Sequence, residues 1–292
     1  MNTWKHSPVW LNLLYLPTVL LFGLFIVYPL SKGVQISFTN WDGFSQQFRS
    51  VGWDNYKRMF SDRNTIKVIQ NTFIYGLGSA LLQNLLGFVF ALLLNRKFRT
   101  VGLVRTIVYL PAIISPLIIG YLWYFILEYR SGALNDIVRL FSDEPMNFLA
   151  NPDFNVWLIT FVNTYQFAGV AMIIFLAGLQ VIPKDYYEAA DIDGASPLQQ
   201  LRHVTWPLLA PSLTISLVLN LIGGFKLFDV IISLTDGGPG YASASLSSYM
   251  YKLYFGRQDA GYASAIGVLM FAIIAIVSVV ALYFLRRREE RL

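Results

Sequence analysis

The chain has 292 residues, 55% hydrophobic and only 13% charged, with a formal charge of +5; the usual charged share of a globular chain is about 25%. It has no cysteine, and its two histidines, His6 and His203, are far apart, which excludes disulfides and thiolate metal sites and argues against a protein-built metal centre. The basic residues flank apolar runs instead of forming a patch of their own, which points to membrane lipid and away from nucleic acid.

Six apolar stretches, near 11–30, 72–94, 103–127, 156–178, 208–234 and 264–285, each reach the roughly 20 residues that a bilayer core demands. Lipid offers the backbone no hydrogen bonds, so these stretches are expected to be helices, giving an all-α integral membrane protein with one domain over 1–292. The first run follows Lys5, yet it is long for a signal peptide, and Ser31-Lys32-Gly33-Val34 is not a small-residue cleavage site; it reads as an uncleaved helix. The loop 31–71 carries Trp41-Asp42-Gly43 and Trp53-Asp54-Asn55-Tyr56, with a short external helix expected near 54–68. In the second run Gly87 and Ala91 are spaced for close helix approach, as are Ala263 and Gly267 in the sixth. Gln83 and Asn84 read as interhelical glue.

Arg96, Lys97, Arg99 and Arg105 crowd the short connection to the third run, and Arg286, Arg287, Arg288 and Arg291 follow the sixth, whereas 128–155 carries five acids against Arg130 and Arg139. Basic short loops stay in the cytoplasm, so both termini and the loop 183–207 are expected there. Trp4, Trp10, Tyr28, Trp123, Tyr124, Trp157 and Tyr283 stand near helix ends, where amphipathic rings settle at the bilayer interface.

The fourth run holds Asn163, Thr164, Tyr165 and Gln166 at mid-membrane depth, and the fifth holds Asn220, Lys226 and Asp229. Ionisable groups in a membrane are costly and commonly functional, although Lys226 and Asp229, three residues apart on one helix, also have the spacing to pair. Gly223-Gly224 reads either as close packing or as room for a bound solute. Between the fourth and fifth runs the sequence spells helix, turn, helix. Pro183 suits the first turn, Gly194 the left-handed stop, and Ser196-Pro197-Leu198-Gln199 the capping box; Pro207 ends the unit. Two short helices at a membrane surface suit docking of a soluble partner. After the fifth run, Asp236-Gly237-Gly238-Pro239-Gly240 signals a turn, with a short helix expected over Ser243 to Phe255.

No phosphate-cradling Gly-x-x-x-x-Gly-Lys-Ser/Thr loop, nucleophile elbow or zinc helix occurs in the sequence, so nothing argues for an enzyme. A secondary transporter or channel that needs no ATPase is the alternative. Its sequence mark is paired broken helices, and none is expected here.

Glu188-Ala189-Ala190, then Gly194, then Val204-Thr205-Trp206-Pro207 together resemble the EAA loop of bacterial ABC importer permeases, with Val204 and Trp206 as mild departures. Ser37-Phe38-Thr39-Asn40-Trp41, Leu93-Leu94-Asn95-Arg96, Leu110-Pro111 and Leu234-Thr235-Asp236-Gly237-Gly238-Pro239 resemble its sugar-importer branch, within which the chain is similar to the MalF-type, or "A", permease. The resemblance covers nearly the whole chain. It implies a type I ABC importer transmembrane domain in a bacterial cytoplasmic membrane, working with a second homologous permease, two cytoplasmic ATPase subunits and an extracytoplasmic solute-binding protein. ATP and Mg would be bound by the ATPases, with no cofactor in this chain. Glu188, Ala189, Ala190, Asp193, Gly194, Ala195 and Pro207 would form the coupling contact. The family's sugar contacts fall on Ala112 and Pro116, on Asn163, Gln166 and Phe167, and on Gly223, Gly224 and Leu227, with Lys226 beside them. Larger or amide side chains are common in the family where Gly223 and Gly224 stand, which implies a wider cavity suited to an oligosaccharide or bulky glycoside.

Overall fold

The computed structural model describes residues 15–96, 98–142 and 144–289. Trp4, Lys5, His6, Trp10, the first residues of the first apolar run, Lys97 and Arg291 lie outside the described residues. The elements in chain order are α1 (Leu16–Ile36), α2 (Asp54–Ser61), α3 (Arg63–Leu94), α4 (Val101–Ile113), α5 (Pro116–Leu127), α6 (Ala133–Val138), α7 (Pro152–Val181), α8 (Asp185–Ile192), α9 (Pro197–Leu208), α10 (Ala210–Phe225), α11 (Asp229–Leu234), α12 (Leu246–Tyr251) and α13 (Ala260–Glu289). Among the described residues the only β-pairing is one isolated bridge, Thr39 with Ser50, so the all-helical expectation is met. Among the described residues four helices are long and apolar enough to cross a membrane: α1, α3, α7 and α13 over Ala260–Arg287. Two further crossings arise if α4 with α5, bent by 97°, and α9 with α10, bent by 65°, each count as one.

The breaks correct the sequence reading in two places. The run 103–127 is two helices because Pro116 restarts the chain: a proline has no N–H and drives the residue before it out of the helical region, and Ile114 and Ser115 are both extended, with ψ of 140° and 134°. The run 208–234 stops at Phe225 and resumes at Asp229, with Phe228 at φ −137°. Paired interrupted helices are therefore present, contrary to expectation. The external helix expected near 54–68 is also split. Asp62 is extended and its carboxylate accepts the Asn64 N–H, which ends α2 and caps α3.

The described residues form two compact units. In the first (up to Ser61, and 250–269), α1 buries none of its side chains. The segment after it is tied down by Asn55, whose Nδ2 donates to the carbonyls of Ser37 (2.8 Å) and Thr39 (2.9 Å). Gly261 N–H donates to the Trp41 carbonyl at 2.8 Å. Arg58 pairs with Asp259 at 2.7 Å and lies 4.0 Å over the Tyr262 ring. The Ser45 hydroxyl and the N–H groups of Phe44 and Ser45 hold the Asp42 carboxyl down at about 2, closing the turn that starts there.

In the second unit (62–249 and 270 onward) small residues mark each close crossing, because helices in lipid associate through packing and hydrogen bonds. A Cβ on Gly87 of α3 would lie 2.5 Å from Ala171 of α7, and one on Gly169 of α7 would run into the Val108 carbonyl of α4. The expected Gly87–Ala91 contact face is the one that meets α7. Arg105, expected only as a loop charge, also donates from Nη2 to the Leu94 carbonyl at 2.6 Å, capping the end of α3. The two glycines of α10 separate cleanly. A Cβ on Gly224 would lie 2.7 Å from the Tyr75 carbonyl and 2.9 Å from the Gly76 Cα, whereas one on Gly223 would meet nothing within 4 Å. Gly224→Ala is expected to lower stability by about 1–3 kcal/mol, the range for overpacking, while Gly223→Ala is neutral; thermal melting in detergent compares the two.

Candidate functional site

Breaking a helix within lipid frees carbonyls that must find donors. At the first break Gln166 of α7, fully buried, donates Nε2 to the Ile114 carbonyl at 2.9 Å. At the second, Ser245 Oγ donates to the Leu227 carbonyl at 2.6 Å and Ser247 Oγ to the Lys226 carbonyl at 3.3 Å. The segment that supplies these serines is fastened to α3: Asn71 Nδ2 donates to the Ala242 carbonyl at 2.7 Å, Tyr75 Oη to the Ser243 carbonyl at 2.7 Å, and Leu246 N–H to Thr72 Oγ1 at 2.9 Å. The distal halves α5 and α11 then pack on each other. Ile119 and Leu127 share a buried cluster with Val230, Ile231 and Leu234, and Gly120 lies directly against Ser233.

A cavity of about 370 Å³ opens beside the breaks. Pro116, Asn163, Phe167, Gly223, Gly224, Lys226 and Leu227, all singled out from the sequence, line it. Ala112 and Gln166 do not: Ala112 is half-buried outside the lining, and Gln166 is spent on the break. Three polar residues join that the sequence reading left out of the path: Gln83, Asn220 and Asp229. Gln83 is glue as expected, donating Nε2 to the Asn163 carbonyl at 3.0 Å, and lines the cavity as well. Their signal was the same as Asn163's, a polar side chain inside an apolar run. Asn163 is 2% exposed, and its side-chain amide is without a hydrogen bond among the described residues, which leaves its donors and acceptor for a guest.

Lys226 and Asp229 do not share a helix face, because the break falls between them. Lys226 caps the C-terminal end of α10, and Asp229 lies in the first turn of α11. Each charge therefore suits its own helix dipole. No ion pair within 4.0 Å joins them; those found among the described residues are elsewhere.

The segment 183–207 forms the expected helix–turn–helix. Ala195 N–H donates to the Ala190 carbonyl at 2.9 Å and Gly194 N–H to the Asp191 carbonyl at 3.0 Å. This is the paired closure in which a left-handed glycine ends a helix, and Gly194 has φ +74°. The Ser196–Gln199 capping box forms, with Pro197 at the first helical position. Two details differ: Pro183 precedes the helix that starts at Asp185, and Pro207 lies inside the last turn of α9, two residues before the bend at Leu209. Glu188, Ala189, Asp193 and Gly194 are exposed, and Ala190 and Ala195 half-buried. Ile192 and Leu198 leave 87% and 73% of their surface open. Trp206 stacks edge-on against Phe88 of α3, ring centres 5.1 Å apart, which braces the segment on that helix, and Tyr187 Oη lies 3.0 Å from Thr205 Oγ1, which ties its two ends together.

An all-helical membrane protein with an exposed, braced helix–turn–helix and a largely apolar cavity that carries amide and charged side chains beside two interrupted helices has the build of an importer's transmembrane subunit. The profile of the family described as binding-protein-dependent transport system inner membrane component matches residues 83–291, and the chain belongs to that family: it is a non-catalytic permease of the type I ABC importer fold. It is 33% identical over 288 residues, 97% of this chain and 96% of the relative, to AmyD of Thermoanaerobacterium thermosulfurigenes, a probable starch degradation products transport system permease protein. It is 33% identical over 278 residues, 95% of this chain and 94% of the relative, to the trehalose/maltose transport system permease protein MalF of Thermococcus litoralis. A chain of a bacterial alginate ABC transporter, solved in complex with its alginate pentasaccharide-bound periplasmic protein, superposes with a TM-score of 0.82 at 26% identity, covering 96% of this chain and 94% of that one.

Gln166→Leu is expected to destabilise by about 1–3 kcal/mol by orphaning a buried carbonyl, whereas Asn163→Leu keeps the melting temperature and lowers transport. Melting and uptake measured on the same preparations separate the two roles.

Proposed function

We propose that this chain is one of two non-identical permeases that together form the path of an ATP-driven importer of sugars, oligosaccharides or glycosides in particular. The observation that carries the reading is the pairing of a glycine-opened cavity at the helix breaks, lined by amide and charged side chains among apolar ones, with an exposed capped helix–turn–helix over 183–207. The carbohydrate transport named for AmyD and MalF supports the substrate class. The periplasmic protein in the alginate transporter complex supports delivery by a solute-binding protein. In this reading the chain works as a single permease domain in a bacterial cytoplasmic membrane, with both termini and 183–207 on the cytoplasmic side. That orientation follows from Arg96, Arg99, Arg286 and Arg287 under the positive-inside rule.

Two ATPase subunits bind ATP and Mg and receive Glu188, Ala189, Ala190, Asp193, Gly194 and Ala195, with Pro207 shaping the exit. Closing of the ATPases pulls this segment, and through the Trp206–Phe88 contact the pull reaches α3. Pro116, Asn163, Phe167, Gly223, Lys226 and Leu227 meet the solute. Ala112 and Gln166 act behind the lining, and Gly224 sets the depth of the cavity by packing. Amides donate to and accept from hydroxyls, and Phe167 offers a ring to a sugar's apolar face.

Glu188→Ala, at an exposed position, is expected to leave stability within about 0.5 kcal/mol. Uptake in vesicles carrying the whole transporter falls about tenfold, a coupling loss of about 1.4 kcal/mol. Unchanged uptake would remove the segment from coupling. Gly223→Asn narrows the cavity and is expected to slow large oligosaccharides before small ones; equal loss at every size would overturn the size argument.

A further inference from the structure

We propose that the cavity selects uncharged sugars, and that Lys226 and Asp229 together are what excludes charged ones. The inference rests on the importer reading and adds the class of sugar admitted at that site. These two are the only charged side chains lining the cavity among the described residues. Both are exposed to it, and neither has an ion-pair partner or a side-chain hydrogen bond among those residues. Each stands at its own helix end, Lys226 at the C-terminus of α10 and Asp229 at the N-terminus of α11, where the helix dipole favours its charge without need of the other.

Two opposite charges in one cavity act differently on neutral and charged guests. A hydroxyl-rich neutral solute accepts hydrogen bonds from the lysine and donates them to the aspartate, and both bonds are charge-assisted. A singly charged solute gains from one residue what it loses to the other, and its own charge is still stripped of water. The rest of the lining suits the neutral guest: Asn163 is 2% exposed and its side-chain amide has no hydrogen bond among the described residues, Gln83 and Asn220 add amides, and Phe167 adds a ring. Removing one charge leaves the other's field uncancelled. At a separation of about 6 Å and an effective dielectric of about 20, that field changes the affinity of a singly charged guest by roughly a hundredfold. The neutralised variants should therefore differ in which sign they admit: Asp229→Asn takes acidic sugars, and Lys226→Gln takes amino sugars.

The chain has no native cysteine, and a side chain at Gly223 meets open space. Gly223→Cys in the assembled transporter is thus a single reporter, read as the maleimide-labelled fraction of this chain. Maltotriose and cellotriose serve as neutral probes, trigalacturonate as the acidic one and the glucosamine trimer as the basic one. The expected result is protection by a neutral trimer alone in the parent. Protection by trigalacturonate then appears with Asp229→Asn, and by the glucosamine trimer with Lys226→Gln, each with affinity raised at least about tenfold. Protection of the parent by a charged trimer, or no change of sign preference in either variant, overturns the proposal. If no trimer protects while ATP-driven sugar uptake persists, the inference fails and the importer reading stands; if no sugar is taken up with ATP, the importer reading fails first.

Discussion

A bilayer supplies no hydrogen bonds, and everything near the centre of this molecule follows from how it answers that constraint at two broken helices. Each break releases carbonyls into an apolar setting, where an unpaired group costs several kcal/mol. One break is answered from a neighbouring helix by Gln166, the other from a distant segment by Ser245 and Ser247. That segment is fixed on α3 by Asn71, Thr72 and Tyr75. The polar residues of α3 and α7 are thus divided between two tasks: some complete the backbone, and others, Asn163 above all, are left facing a cavity.

Such breaks let the chain turn within the membrane. The distal halves α5 and α11 dock through Gly120 and Ser233 and share one apolar cluster. The proximal halves α4 and α10 pack on α7 and α3, where Gly169 and Gly224 permit contact with backbone. Between these layers the chain leaves a space bounded by Pro116, Gly223 and the charges at the second break. The breaks of the fold and its cavity therefore coincide. At the other end, Trp206 and Phe88 tie the exposed helix–turn–helix to α3, which also carries Gln83 into the cavity lining. One helix therefore touches both the exposed helix–turn–helix, through Phe88, and the cavity, through Gln83.

Much of this was legible in the residues. Six apolar runs announce the helices, and Gly194, Ser196 and Gln199 announce a turn whose hydrogen bonds form as their chemistry requires. Six of the eight path residues that the family resemblance implied stand on the cavity wall, and so does Lys226, singled out by its charge within an apolar run. The breaks were not legible as breaks. Leu110-Pro111 was read as a motif, and Pro116 as a contact, when the second proline's missing N–H restarts the helix. Nothing local marks Lys226–Phe228, because the donors that make that break tolerable stand some twenty residues further along. For the same reason Lys226 and Asp229 read as a helical pair: the spacing suits one, and only the break takes them apart. Gln166 is the converse case, a residue in the right place whose amide is committed to the backbone.

The central claim is that the cavity at the breaks lies on a path whose opening is set by nucleotide. It is tested most directly by labelling a single cysteine at Val170, a half-buried lining residue, in vesicles carrying the complete transporter. A membrane-impermeant maleimide is added from either side, without nucleotide and with ATP held unhydrolysed. The account predicts labelling from the cytoplasmic side without nucleotide and from the outer side with ATP bound. Labelling from one side in both states, or from neither, would contradict it.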